Sequence, residues 1–269
     1  MNHSNRIFFT KMHGLGNDFV IIDASQKPCD AKKLPIVPLA NRYTGIGFNQ
    51  ILIIEPSKKA DFFCRIFNSD GSEAEQCGNG LRCVARYIHE KKLISTRNFH
   101  LETKAGIFPI VIKDYEHICL TLDALHIEHS LIELKLMHPL KKIPVSILSL
   151  GNPHVIFRVE SIHSSEIEEL APLIKTHSLF PNGINIGFMQ IVDRHHILLR
   201  TFERGAGETH ACGSNASAAV CAGIHNGWLD QKVNVRFRYG CLEVIWKGEA
   251  NPVSITGPAT FVFEGEIRV

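Results

Sequence analysis

The sequence predicts an α+β protein made of two pseudo-symmetric lobes, each a strand-rich roll or barrel around one central helix. The first observation behind this is an internal repeat. A shift of 135 residues (212 minus 77) lays Phe67, Glu73, Cys77 and Gly78 on Phe202, Glu208, Cys212 and Gly213. The same shift lays Gly16-Asn17 on Gly151-Asn152, Val20-Ile21 on Val155-Ile156, Gln50-Ile51 on Asn185-Ile186, and 118–121 on 253–256. One constant offset through separated blocks is a duplication of long period, hence two lobes rather than a solenoid. The second is that strand-like runs dominate both halves, which with one central helix per lobe gives an α+β architecture. The third is that each half sets a Cys-Gly pair directly before its central helix. The expected lobes are 1–122 with a C-terminal strand 259–269, and 123–258, with a ligand site in the cleft between them.

The elements follow in order. Residues 7–10 form a short β-type run, and 12–18 (MHGLGND) a glycine-punctuated turn. Its Gly-x-Gly lacks the further glycine of a dinucleotide fingerprint. Residues 19–23 make a buried strand, and 27–38, with three prolines, a loop. Gln50 opens a strand over 51–55, and 61–68 is another, ending in the turn Ser69-Asp70-Gly71. Residues 78–93 read as a helix, because Leu81, Val84, Ala85 and Ile88 recur at helical spacing without a proline. Strands follow at 97–103, 107–113 and 117–122. In the second half, 145–150 leads through Gly151-Asn152-Pro153-His154 to a strand at 155–159. Ser164 or Ser165 caps a helix reaching about 178, with Glu168 and Glu169 near its first turn. Asn185 opens a strand as Gln50 does, and 196–202 precedes the second cysteine turn. Residues 215–225 form a helix of small residues with no polar face, which is expected to be buried all round.

Composition narrows the function classes. With 269 residues, 45% apolar and 21% charged, the chain holds two ordinary globular domains. A formal charge of +2, with no basic run longer than two residues, argues against nucleic acid or an anionic membrane as partner. No stretch approaches the ~20 apolar residues of a membrane span, and the N-terminus lacks the apolar core of a signal peptide. The expected location is the cytoplasm. Eight cysteines without a Cys-x-x-Cys pair signal neither a disulfide scaffold nor a zinc ribbon, so they are expected as free thiols.

Cysteine at a helix N-terminus carries the chemistry. Free backbone N–H groups and the helix dipole attract negative charge there. The thiol pKa is expected to fall from ~8.5 toward neutrality. The N–H groups of Gly78, Asn79, Gly213 and Ser214 are placed to hold a carboxylate. Two such sites related by a twofold suit inversion at a carbon stereocentre. One thiolate removes the α-proton from one face, and the opposite thiol returns a proton to the other. The pair titrates as a unit, and the N–H groups stabilise the developing carbanion through its carboxylate. Cys29, Cys64, Cys83, Cys119, Cys221 and Cys241 lack the duplicated context and are expected as small core residues. His195-His196 is read as a structural strand start. His154 and Glu203 remain open between turn residues and site residues.

Residues 12–19, 67–83 and 203–213 resemble the signature blocks of the diaminopimelate epimerase family, a group of cofactor-independent amino-acid racemases; the likeness runs from Phe9 to Val269. The resemblance implies reversible conversion of LL-diaminopimelate to the meso form, without pyridoxal phosphate or a metal, in a homodimer. Cys77 and Cys212 match the acid/base thiols. His154 and Glu203 match residues that tune them. Asn17, Gln50, Asn68, Asn152, Asn185, Glu203 and Arg204 match the ligand-binding set, with Gly78, Asn79, Gly213 and Ser214 at the helix N-termini. Amides that donate and accept, with one planar arginine fork, suit a substrate with two amino-acid ends. The chain departs from the pattern at Asn215 (glycine in the family), Ser217 (often cysteine) and Asn49 (more often aspartate). The segment 125–144 is shorter than the family's interlobe region and is expected to change surface rather than chemistry. The alternatives are a racemase for proline or hydroxyproline, a non-catalytic amino-acid-binding protein, and a redox switch closing a Cys77–Cys212 disulfide.

Overall fold

A computed structural model describes residues 6–137 and 140–268. The chain divides into two compact units, Met1–Leu120 with Gly257–Val269, and Thr121–Thr256.

The first unit opens with the hairpin β1 (Arg6–Gly14) and β2 (Asn17–Asp23). The turn expected over 12–18 is shorter than the sequence suggests. Only Leu15 and Gly16 lie outside the strands, with φ of 55° and 83°. Positive φ at both positions is the signature of a two-residue type I′ hairpin, whose twist matches that of the flanking strands. The prolines at 28, 35 and 38 do not keep 27–38 irregular either. A 3-10 turn at Ala31–Lys33 is capped by Asp30, and α1 (Ile36–Ala40) follows. Pro38 sits in the first turn of α1, where a backbone N–H has no intrahelical partner to lose. Then come β3 (Gln50–Pro56), β4 (Phe62–Asn68), the short β5 (Glu73–Ala74), α2 (Gly78–Glu90), β6 (Asn98–Thr103), β7 (Gly106–Ile112) and β8 (Ile118–Ala124).

The second unit continues with β9 (His126–Met137), β10 (Leu140–Ser149), β11 (Pro153–Arg158), α3 (Glu166–Lys175), β12 (Asn185–Asp193), β13 (His196–Glu203) and β14 (Gly207–Thr209). It ends with α4 (Gly213–His225), β15 (Lys232–Phe237), β16 (Gly240–Trp246) and β17 (Pro252–Gly257). β18 (Thr260–Arg268) returns to the first unit and pairs antiparallel with β1, Ile7 opposite Ile267. The segment 125–144, expected to change surface rather than chemistry, forms much of a long hairpin: β9 and β10 pair antiparallel, and Leu134 and Leu136 enter the core. The alternation Ile132-Glu133-Leu134-Lys135-Leu136 is a period-2 strand signal.

The duplication is preserved in the register of the sheets. The parallel pair Phe19–Gln50 of β2 and β3 recurs 135 residues on (212 minus 77) as His154–Asn185 of β11 and β12. The antiparallel pair Ile51–Phe67 recurs as Ile186–Phe202. Phe67–Glu73 recurs as Phe202–Glu208. Both central helices have 13 residues and begin directly after a cysteine.

The middle strands of both units are buried on two faces. In the first unit Val20, Ile22, Ile51 and Ile53 pack with Leu34, Ile36 and Ala40, while Phe19 and Leu52 turn toward α2. In the second, Val155, Phe157, Ile186 and Phe188 pack with Ile167, Leu170 and Ile174 of α3. Phe157 and Phe188 stack with centroids 5.2 Å apart. Burying each such ring is worth ~2–3 kcal/mol. Among the described residues, no helix is long and apolar enough to cross a membrane.

Candidate active site

In the first unit the tight turn at Leu15-Gly16 delivers Asn17 to the start of β2. Its Nδ2 lies 3.9 Å from the Cys77 Sγ. The amide is held in that sense by Asn49, whose Nδ2 donates to the Asn17 Oδ1 at 3.0 Å. Asn49 is itself fixed: its Oδ1 accepts from the Arg42 Nη2 at 2.8 Å, and its backbone N donates to the Asp18 Oδ1 at 3.1 Å. Asp18 binds Lys11 at 2.6 Å and Arg42 at 2.7 Å. Burial works against its charge, but the hydrogen bonds from Arg42 and Lys11 outweigh burial and hold the carboxyl below its usual range. Gln50, opening β3, donates from Nε2 to the Asn68 Oδ1 at 2.9 Å. The Gln50 Oε1 is buried and has no hydrogen-bond partner among the described residues. An acceptor in that state calls for a donor, which an ammonium group supplies.

Cys77 is the N-cap of α2, in extended conformation (φ −152°, ψ 102°), and is half-buried. Gly78 and Asn79 form the first turn, where backbone N–H groups lack helical partners. Beneath them lies Arg82, fully buried, which donates to the Asn79 Oδ1 at 2.7 Å and to the Gly78 and Pro258 carbonyls at 3.4 Å. Burial lowers the Arg82 pKa, while negative charge on Cys83 or Cys77 opposes that. Sequence reasoning missed Arg82. Its signal is one cation on a helix segment otherwise buried and apolar, Leu81 to Ala85.

In the second unit Cys212 is the N-cap of α4 (φ −134°, ψ 119°). Its Sγ lies 3.3 Å from the Ser214 Oγ, and it also bonds the Glu203 carboxylate and the backbone N–H of Asn215. The downward shift expected from the helix N-terminus is not what this environment produces. Burial pushes the Cys212 thiol well up and the Glu203 charge adds to it, outweighing the Ser214 hydroxyl and the Asn215 N–H. Glu203 also accepts from the Thr209 hydroxyl at 2.5 Å.

His154 is fully buried on β11. Its Nε2 is 3.0 Å from the Asn152 Oδ1 and its Nδ1 is 3.3 Å from the Asn215 Oδ1. Burial brings its pKa down to about 4; the Asn215 hydrogen bond opposes this and the Arg204 charge reinforces it. Among the described residues His154 has no direct bond to Cys212, and Asn215 links the two. Asn185 spends its amide on the backbone, accepting from the Arg204 N at 3.0 Å and donating to the Pro153 O at 3.0 Å. It therefore anchors the chain that carries Arg204. The Arg204 side chain is exposed and makes no ion pair among the described residues.

All eight cysteines are free. Cys64, Cys83 and Cys221 are core residues, and burial pushes Cys83 up to about 12. Cys29 and Cys119 are only half-buried and Cys241 is exposed, against the core reading of all three. On β8 and β16, strand alternation puts Cys119 and Cys241 on the opposite face from buried Leu120 and Leu242. His196 opens β13 and pairs with Asp193 at 2.9 Å, a surface contact.

Solved structures share this architecture. A hydroxyproline epimerase from Agrobacterium vitis matches with TM-score 0.76 at 15% identity, covering 100% of this chain and 94% of its own. A PhzF-family phenazine biosynthesis protein from Bacillus anthracis matches with TM-score 0.73 at 20% identity, over 98% of this chain and 100% of its own. The chain thus has the strand-rich two-domain α+β fold of the proline racemase type. The sequence model of diaminopimelate epimerase matches residues 9–124 and 146–262, one block in each half. The chain belongs to the diaminopimelate epimerase family. It is 44% identical to the diaminopimelate epimerase of Nitrosomonas europaea and 40% identical to that of Ectopseudomonas mendocina, in each case over 97% of this chain and 99% of the relative.

Proposed function

We propose that the protein interconverts LL- and meso-2,6-diaminopimelate, with Cys77 and Cys212 as the acid/base pair. The observation that carries this reading is the paired N-cap cysteine: each half sets one thiol, followed by glycine, at the start of a 13-residue helix. One sulfur, as thiolate, takes the α-proton as the C–H bond breaks, and the electron pair stays on the α-carbon beside its carboxylate. The other sulfur, as thiol, gives its proton to the opposite face and becomes the thiolate. Atoms and charge balance without a co-reactant. The chemistry requires both sulfurs to reach one carbon from opposite faces.

The remaining roles follow. N–H groups of Gly78, Asn79, Gly213 and Ser214 hold the reacting carboxylate and stabilise the carbanion. Glu203, bonded to Cys212, favours its protonated state until the substrate's charge rearranges the site. Asn17, Gln50, Asn68 and Asn152 bind ammonium and carboxylate groups, and Arg204, held by Asn185, takes the distal carboxylate. The meso product feeds lysine and cell-wall synthesis. The enzyme works in the cytoplasm as a homodimer, and Phe8, Val262 and Phe263 on β1 and β18 expose apolar surface that a second copy would cover.

Proton NMR with LL-diaminopimelate in deuterated water, without added cofactor, tests the reading. Loss of the α-proton signal with appearance of the meso isomer is expected. Cys77→Ser and Cys212→Ser should each lower epimerisation by ~10²–10⁴-fold, the usual worth of a general acid or base. Exchange of proline but not of diaminopimelate would replace the substrate; exchange of neither would overturn the reading.

A further inference from the structure

Asn215 occupies a position that the other half fills quite differently. The 135-residue shift (212 minus 77) equates Asn215, His154 and Gly187 with Gly80, Phe19 and Leu52. In the first unit a Cβ on Gly80 would lie 3.0 Å from Leu52 and 3.4 Å from Phe19, so two apolar side chains fill the space against a helix glycine. In the second unit the bulk sits on the helix and the strand has given way. A Cβ on Gly187 would come within 3.0 Å of the Asn215 Oδ1 and 2.8 Å of Ile156. An apolar plug on one side is thus a polar pair on the other, Asn215 with His154, both fully buried.

The partners of Asn215 fix its orientation. Its Nδ2 donates to the Ile186 carbonyl at 2.9 Å and to the Thr201 hydroxyl. A backbone carbonyl only accepts, so the amide nitrogen must face it and Oδ1 must face the imidazole. The His154 Nδ1, 3.3 Å from that oxygen, must then carry the hydrogen. A neutral imidazole has one such hydrogen, so Nε2 presents its lone pair. The Asn152 atom placed 3.0 Å from Nε2 is its Oδ1, which cannot donate; opposite a lone pair the Asn152 amide is turned over, its nitrogen toward the ring and its oxygen free to accept.

We propose that Asn215 is a positioning residue that locks His154 in the Nδ1–H tautomer, and so turns the carbonyl oxygen of Asn152 toward a substrate N–H. The second clause rests on the ligand role proposed above for Asn152. The same residue donates its backbone N–H to Cys212, so one side chain and one amide tie the imidazole to the thiol.

Long-range ¹⁵N–¹H NMR of the full-length protein with ¹⁵N-labelled histidine at neutral pH reads the tautomer directly. The His154 signals are identified by their loss in His154→Gln. Expected in the wild type are a protonated Nδ1 and an unprotonated Nε2. Asn215→Asp, which still accepts from Nδ1–H, should keep that pattern. Asn215→Gly, checked for folding by circular dichroism, should shift His154 toward Nε2–H and raise KM for diaminopimelate about tenfold with a smaller change in kcat, the scale of one misdirected hydrogen bond. An Nε2–H tautomer in the wild type overturns the proposal whatever the variants do, as does an unchanged Nδ1–H tautomer in folded Asn215→Gly. The spectrum does not depend on turnover. An Nδ1–H signal in a protein that exchanges no α-proton would overturn the functional reading and leave the tautomer lock standing.

Discussion

His154 is an imidazole kept neutral by burial, and that neutrality has a pH-dependent cost. Its pKa falls from 6.5 to about 4 on folding. Between these values the unfolded chain binds a proton that the folded chain does not, so stability falls as pH drops through this window. No cost arises above the unfolded value, and none is added below the folded one. At ~1.4 kcal/mol per pKa unit, about 2 kcal/mol is lost by a pH of about 5. Urea unfolding near pH 7.5 and pH 5 checks this, with His154→Gln losing about 2 kcal/mol less than the wild type between the two. Equal losses in both proteins would assign the effect to another group. Asn49 acts at the same scale. As an asparagine it can donate to the Asn17 Oδ1 while accepting from Arg42, which turns the Asn17 nitrogen toward Cys77. An ionised aspartate cannot donate. Asn49 and Asn215, two of the places where the chain departs from the pattern it resembles, each hydrogen-bond a neighbouring residue that the proposed mechanism uses.

At the scale of elements, α2 and α4 share length and cap but differ in environment. α2 leaves Arg86, Tyr87 and Glu90 partly accessible, whereas α4 is buried at Gly213 and from Asn215 through Gly223. Small residues let strands approach α4 closely, so its tolerance of added volume is low. A Cβ on Gly223 would lie 2.3 Å from the Leu229 Cδ1 and 2.6 Å from its Cγ, and Leu229 is itself buried. Gly223→Ala gains up to ~1 kcal/mol of helix propensity but meets an overpacking cost of ~1–3 kcal/mol. The expected outcome is a net loss of about 1–2 kcal/mol in denaturant unfolding, with the slope unchanged. A midpoint that stays or rises would mean Leu229 swings aside at no cost.

At the scale of the whole molecule, the two halves solve the same closure differently. β18, from the end of the chain, completes the first unit beside β1, while β9, just ahead of β10, takes the equivalent place in the second. The first unit is therefore built from two separated stretches of sequence and the second from one continuous stretch. The proposed homodimer is also a whole-molecule property. Sedimentation velocity at micromolar concentration should give about twice the chain mass of 30.1 kDa. A single species at the chain mass, active in the epimerase assay, would remove the dimer from the functional reading.

Local pattern was enough for much of this protein. The repeat, most strands, both central helices and the Cys-Gly turns are written in periodicity and turn residues, which act over a few positions. The segment 125–144 also carried its strand signal, in a short alternation outweighed by its place between lobes. Other features had no local signature. The upward direction at Cys212 comes from burial and the Glu203 charge, which a helix N-terminus alone does not reveal. Arg82 is a buried cation only because the fold closes over it. The bond between His154 and Asn215 joins residues 61 positions apart, in space that Gly187 leaves open. Such properties depend on which side chains the completed core brings together and on how much water it excludes, so the tertiary structure decided them.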